Sequence, residues 1–258
     1  MLSRIWHISY NTYREAVRDR VLYNLVFFAL LMVGSTPLVG QISVGVERIV
    51  LVNLGLTAIS IFGVVIAIFI GIGLVSKEID RKTLYTVLSR PVRRWEFILG
   101  KYFGLAGTLA VNTFFMAIGF FGVLLYVTKS FERADGHLLV AIYFIILQFL
   151  IITAITLLFS SFSSPLLSAM FAFGLFVIGS FSDDLRGLAG MLDGIQKSLL
   201  MGISYLVPNF GALNVITQVS HQQGVAAALV LHNTLYALFY VTATLSAAVI
   251  IFENRNLK

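Results

Sequence analysis

No cysteine occurs in the 258 residues, which excludes a disulfide, a thiolate metal site or a redox motif. Charge is scarce as well: Asp, Glu, Lys and Arg together make up 12% of the chain, against roughly a quarter in a soluble domain. The four histidines, His7, His137, His221 and His232, are scattered. They form no H-E-x-x-H pair, and no G-x-S-x-G elbow accompanies them, so neither a metal site nor a catalytic constellation is expected. A G-x-x-x-x-G-K-[ST] phosphate loop is missing too. Gly100-Lys101 is followed by Tyr102, which cannot supply the Ser/Thr hydroxyl that holds magnesium. If ATP powers this protein, another chain binds it.

What is abundant is hydrocarbon. Residues of the AVILMFWYC set account for 59% and the mean hydropathy is +0.94. A soluble globule of 28.5 kDa cannot hide that much apolar surface, so lipid is its solvent. The apolar runs are continuous over about 20 residues rather than alternating over about 10, which selects helices over barrel strands. The expected fold is all-α, a polytopic membrane protein of six transmembrane helices in a single domain spanning 1–258.

Along the chain, residues 1–20 read as an amphipathic surface helix with Leu2, Ile5, Trp6, Tyr13 and Val17 at helical spacing. Spans are expected at 21–40, 49–75, 97–127, 138–159, 165–181 and 225–252. The first follows mostly polar residues without a small-x-small cleavage pattern, so it reads as a retained span. Pro165 opens the fifth, a favourable first helical residue. Between the last two, 182–224 mixes charge with greasy stretches and reads as short re-entrant or amphipathic helices dipping into one membrane face. No internal repeat is visible.

Thirteen of the eighteen Lys and Arg residues fall in the segments that share a side with the N-terminus. The positive-inside bias puts both termini and the 76–96 loop in the cytoplasm. Within the spans, polar residues such as Asn24, Asn53, Asn112 and Gln148 are neutral, and His232 lies in the outer part of the last span. The lack of buried carboxylates counts against an ion-coupled carrier. Gly100, Gly104 and Gly107 line one face of the third span, and Ser168 with Ala172 does the same in the fifth. Small residues admit close helix approach, and intrachain packing is the expected use.

The 76–96 loop carries more than charge. Leu84, Val87 and Leu88 stand at i, i+3 and i+4, and Pro91 ends the pattern. A short amphipathic helix there fits a groove on a cytoplasmic partner. Glu78, Thr83-Leu84, Leu88-Ser89-x-Pro91-Val92-x-Arg94 and then Gly100-Lys101 resemble the signature of type-2 ABC transporter permeases. Residues 11–23, including Arg14, Glu15 and Arg18, and Tyr205-Leu206-x-Pro208-Asn209 are similar to the branch named for nitrous-oxide-reductase or multicopper enzyme maturation. At Lys82 the chain departs from many members, which carry Gly.

The resemblance implies an N-terminal connecting helix bearing Arg14, Glu15 and Arg18. It implies a coupling helix between spans 2 and 3, with Glu78, Asp80, Thr83, Leu84, Val87, Leu88, Ser89, Pro91 and Arg94 at the ATPase interface. It also implies external re-entrant helices between spans 5 and 6. Two ATPase subunits, bringing ATP and Mg, would join two permeases, a copy or a relative, in the bacterial inner membrane among its lipids. The permease itself binds no cofactor, touches no nucleic acid and is not an enzyme. Copper is disfavoured as cargo because there is no cysteine and the six Met residues do not cluster. The expected substrate is amphipathic or lipid-linked and moves outward. The rival readings are a non-transport membrane scaffold and a lipid-modifying membrane enzyme.

Overall fold

The computed structural model describes residues 2–16, 27–28, 30–34, 47–80, 93–130 and 135–254, the side chains of 2–4 and 74–80 excepted. Every regular element among them is helical: α1 (Leu2–Ala16), α2 (Glu47–Asp80), α3 (Arg94–Thr128), α4 (Gly136–Ser160), α5 (Pro165–Ser180), α6 (Ser182–Gly190), α7 (Ile195–Leu206), α8 (Ile216–Ser220) and α9 (Ala227–Asn254). Four of these, α2, α3, α4 and α9, are long and apolar enough to cross a bilayer. The pair α5 and α6, bent by 56°, raises the number to five if it counts as one span. Of the expected first span, 21–40, only 27–28 and 30–34 lie within the described residues, and these are helical.

Helix lengths follow from run length and punctuation. The 34 residues of α2 make a rod of about 51 Å at 1.5 Å per residue, far beyond a hydrocarbon core of about 30 Å, so it projects from the bilayer. Ser164, in an extended conformation, precedes Pro165 at the first turn of α5, where a missing N–H costs nothing. At 16 residues α5 reaches only about 24 Å, and the bend into α6 follows. α3 closes on Lys129 in the left-handed region (φ 55°), whose N–H bonds to the Leu125 carbonyl, the single-bond form of helix C-cap.

The centre of the bundle is α4. It is apolar on all sides, as a fully surrounded helix must be, and 72% of its most apolar stretch is buried, against 28% for α9. It packs against α2, α3, α5, α8 and α9. Gly63 and Gly71 make the α2–α4 crossing possible, since a Cβ would sit 1.9 Å from the Phe149 ring at Gly63 and 2.9 Å from Thr156 at Gly71. On the same helix, Gly55 admits Phe120 of α3.

Polar side chains inside the bundle join helices. Ser60 and Gln148 bond α2 to α4 at 3.2 Å, Asn53 donates to Ser220 at 3.1 Å, and the Tyr143 and Thr234 hydroxyls meet at 2.8 Å. Arg48 near the start of α2 forms an ion pair with Asp135, just before α4. α5 keeps Ser168, Ala172 and Gly179 buried and turns its large side chains outward, among them Leu166, Met170 and Phe173.

Candidate coupling face

Two helix ends and the N-terminal helix meet on one side of the bundle, next to 81–92. α1 lies along α3, its most extensive neighbour. The contact face runs Ile5, Ile8, Ser9, Thr12, Tyr13 and Ala16, with Thr12 and Ala16 fully buried. These positions follow i, i+3, i+4, i+7, i+8 and i+11, the spacing of one helical stripe. Opposite them on α3 stand Gly100 and Gly104. A Cβ on Gly100 would lie 2.6 Å from Ile8 Cγ2, and one on Gly104 would lie 2.6 Å from Thr12 Cβ and 2.7 Å from the Ser9 carbonyl oxygen. Gly107 is looser, with Tyr13 3.9 Å away. The Ser9 hydroxyl donates to the Gly100 carbonyl at 3.0 Å.

The apolar stripe read from the sequence is therefore rotated from the face in contact. Trp6 belongs to that stripe, yet it is 69% exposed, with Tyr10 beside it also exposed. Two surfaces of α1 accept apolar groups, one turned to protein and one turned outward. The protein side uses small and hydroxylic residues because it must fit against glycine. Arg14 and Glu15 are exposed on the far side. Arg18 lies outside the described residues.

At the start of α3, Glu96 is 1% exposed, and its Oε2 accepts the Arg93 N–H at 3.0 Å, the reciprocal half of a capping box. Arg94 reaches the other end of the chain. Its Nη1 donates to the carbonyls of Phe252 at 3.0 Å and Glu253 at 2.8 Å. Those carbonyls end α9, where the last turn has no intrahelical partners and carries partial negative charge. Below this contact the Phe97 and Phe252 rings stack at 5.9 Å. Lys101, also buried, holds its ammonium 5.6 Å over the Phe97 ring.

The predicted interface residues are thus distributed as follows. Arg94 is engaged with α9 inside the chain. Glu78 and Asp80 belong to the last turn of α2, with side chains not described. Thr83, Leu84, Val87, Leu88, Ser89 and Pro91 lie outside the described residues. Sequence reasoning missed the Arg94 contact, because a carbonyl at a distant helix end has no residue type.

On the opposite side of the bundle, 182–224 forms α6, α7 and α8 around Asn209. Its Nδ2 donates to Asp183 at 2.8 Å, its Oδ1 accepts the Ala212 N–H at 2.9 Å, and its backbone N–H bonds to the Tyr236 hydroxyl at 2.8 Å. Arg186 stands 3.8 Å from Asp183 and 5.3 Å over the Tyr205 ring. Asn233 of α9 adds a bond to the Ala212 carbonyl. Gly179 lets the Pro208 carbonyl come within 2.3 Å of where a Cβ would stand. The Tyr205-to-Asn209 motif therefore seals this segment to α9. Asn233 escaped the sequence reading, though an Asn in a span is itself a signal.

Among the described residues no group of three or more His, Asp or Glu side chains is placed to hold a metal ion. A model of the family described as ABC-2 family transporter protein matches residues 6–257. A comparison with curated proteins finds no match.

Proposed function

The chain belongs to the ABC-2 transporter family, and from that premise we propose that it is the permease half of an exporter driven through its 76–96 segment. It is a multi-pass membrane permease, and the family's permeases carry no ATPase site of their own. In this reading two ATPase subunits dock on the cytoplasmic side, where both termini also lie, and a second permease copy or relative completes the pore in the inner membrane. The outward face of α5, with its small residues turned inward, suits that second permease. The nitrous-oxide-reductase maturation branch remains the proposed relationship, without copper as cargo.

The observation that carries the reading is the way α3 begins. Its first three turns follow directly on the basic segment and are locked to two other elements, to α9 through Arg94 and Phe97 and to α1 through Gly100 and Gly104. A push delivered to 81–92 by a closing ATPase enters α3 at Arg93. Close-packed contacts of this kind shift as units rather than deform, so α1, α3 and α9 would move together. Glu78 and Asp80 at the end of α2 flank the same segment, and Arg14 and Arg18 are the proposed charge partners for them.

The test is pull-down of the partner ATPase with Leu88→Asp permease, abundance being checked in the same membranes. An unpaired charge in the contact costs several kcal/mol, so affinity should fall about a thousandfold at 1.4 kcal/mol per tenfold. Arg90→Ala should be milder. Wild-type binding by Leu88→Asp would sink the coupling role. Failure of any ATPase to co-purify with the wild-type chain would favour a scaffold.

A further inference from the structure

Three oxygens converge on one point beside the bend between α5 and α6. A Cβ on Gly211 would have as its nearest neighbours Asp183 Oδ2 at 3.1 Å, Asn209 Oδ1 at 3.3 Å and the Ser180 carbonyl oxygen at 3.4 Å. All three are acceptors. Gly211 does not have a positive φ, so its backbone conformation does not call for glycine. What the missing side chain supplies is space, and the atoms closest to that space are oxygen.

Each of these oxygens keeps bonding capacity. Asp183 meets the Asn209 amide at 2.8 Å and Arg186 at 3.8 Å through Oδ1, which leaves Oδ2. Asn209, nine-tenths buried, accepts the Ala212 N–H with an oxygen that has two lone pairs. The Ser180 carbonyl ends α5, and no donor among the described residues reaches it across the 56° bend. Carbonyls at a helix end carry partial negative charge. A water has only two protons for three facing acceptors, whereas a positive ion satisfies all of them at once. Carboxylate, amide oxygen and backbone carbonyl are the ligand types of calcium, and the C-terminal ends of interrupted helices hold cations in other membrane proteins. Calcium takes its oxygens at about 2.3–2.6 Å, so the three must close by about 0.8 Å. Asp183 is exposed at the start of α6 and is free to do so.

We propose that Ser180, Asp183 and Asn209 form a calcium site over Gly211, completed by water. The ion ties the end of α5 to α6 and to the segment around Asn209, which Tyr236 and Asn233 hold on α9. With one carboxylate among three protein ligands, the site belongs at the weak end of calcium binding, with a dissociation constant of about 1 mM. Arg186 opposes it. The guanidinium is kept on the Oδ1 side by the Ser204 carbonyl at 3.4 Å and the Tyr205 ring at 5.3 Å.

The test uses the purified permease, stripped of metal with a chelator, and terbium, a luminescent calcium substitute that nearby tyrosine sensitises. Tyr236, bonded to the Asn209 backbone, is the expected sensitiser. Terbium emission should rise saturably, and calcium should displace it with an inhibition constant of about 1 mM. Gly211→Ala places a methyl group among the three oxygens and should weaken calcium by about tenfold or more, as should Asp183→Asn. Asn209→Asp adds a second carboxylate and should bind calcium about tenfold tighter. Arg186→Gln removes a repelling charge and should tighten it about fivefold. A merely structural role for these two side chains predicts no gain in either variant. Emission that does not saturate, or calcium affinity unchanged in Gly211→Ala, overturns the site. If Gly211→Ala unfolds below wild type in chelator, the two tightening variants decide, and no gain in both overturns the proposal. Displacement by magnesium at lower concentration than calcium overturns the choice of ion.

Discussion

Arg94, in the first turn of α3, donates to the carbonyls of Phe252 and Glu253 in the last turn of α9, at 3.0 and 2.8 Å. The two residues that open and close this contact are 158 positions apart, yet one guanidinium caps both the bonding deficit and the dipole of the final helix. Both bonds leave from one nitrogen, Nη1, whose two N–H groups serve two adjacent carbonyls.

Replacing Arg94 with Ala should therefore cost about 1–2 kcal/mol of stability, the range for charged hydrogen bonds at a partly exposed site. Arg94→Lys should recover part of it, because an ammonium keeps the charge and several donors at the helix end but sits on a shorter side chain. Thermal unfolding of the purified permease measures both. Under the proposed coupling, Arg94→Ala should also lower transport-dependent stimulation of the ATPase more than Arg90→Ala does. Equal effects would place Arg94 outside the transmission route.

Gly104 and Gly107 make a paired test of the α1–α3 contact. Gly104→Leu meets the Ser9 backbone as well as Thr12, and backbone cannot rotate aside, so overpacking of about 1–3 kcal/mol is expected with α1 displaced. Gly107→Ala, with 3.9 Å to Tyr13, should change little. In the cysteine-free chain, Thr12→Cys reports the outcome. It is buried against Gly104 and should resist thiol reagents until Gly104→Leu exposes it. Rapid labelling without that substitution would show that α1 is not held there.

How much of this was readable beforehand depends on which solvent a residue faces. Helices expected at 49–75, 97–127, 138–159 and 225–252 correspond to Glu47–Asp80, Arg94–Thr128, Gly136–Ser160 and Ala227–Asn254, because an unbroken apolar run determines a helix in lipid regardless of its neighbours. Partners were harder to read. In hydrocarbon, the lipid-facing and protein-facing sides of a helix are both apolar, so periodicity could not tell that Thr12 rather than Trp6 meets α3. Gly55, Gly63 and Gly71 recur every eight residues along α2, a visible pattern whose meaning depends on Phe120, Phe149 and Thr156 on other helices. For Arg94, the family resemblance implied a partner protein, while within the chain it bonds to carbonyls of α9.

The orientation proposed from the charge bias has a direct test. Lys129, exposed after α3, should lie outside the cell and Ser89 inside. Single cysteines at the two positions should differ accordingly, Lys129→Cys reacting with an impermeant reagent on intact cells and Ser89→Cys reacting only after lysis. The reverse pattern would invert the topology and put 81–92 out of reach of any ATPase.

The Asp183–Asn209 contact carries the last prediction, since it decides whether 182–224 stays sealed to α9. Asn209→Asp keeps the acceptor for the Ala212 N–H but faces Asp183 with a second carboxylate in place of a donor. Arg186, 3.8 Å from Asp183, offsets only part of that repulsion. Asp183→Asn alone loses the ion pair with Arg186 but keeps an acceptor for Asn209. The swapped double variant restores one donor and one carboxylate, so the two changes should be strongly non-additive, with a coupling of about 1–2 kcal/mol favouring the double. Unfolding of the purified permease gives the cycle, and limited proteolysis within 182–224 shows where the loss is felt. The Tyr236 hydroxyl still receives the backbone N–H of residue 209 in every variant, so the bundle should fold in all of them. Additive effects would mean that Asp183 and Asn209 act separately, and that the seal rests on Tyr236 and Asn233 instead.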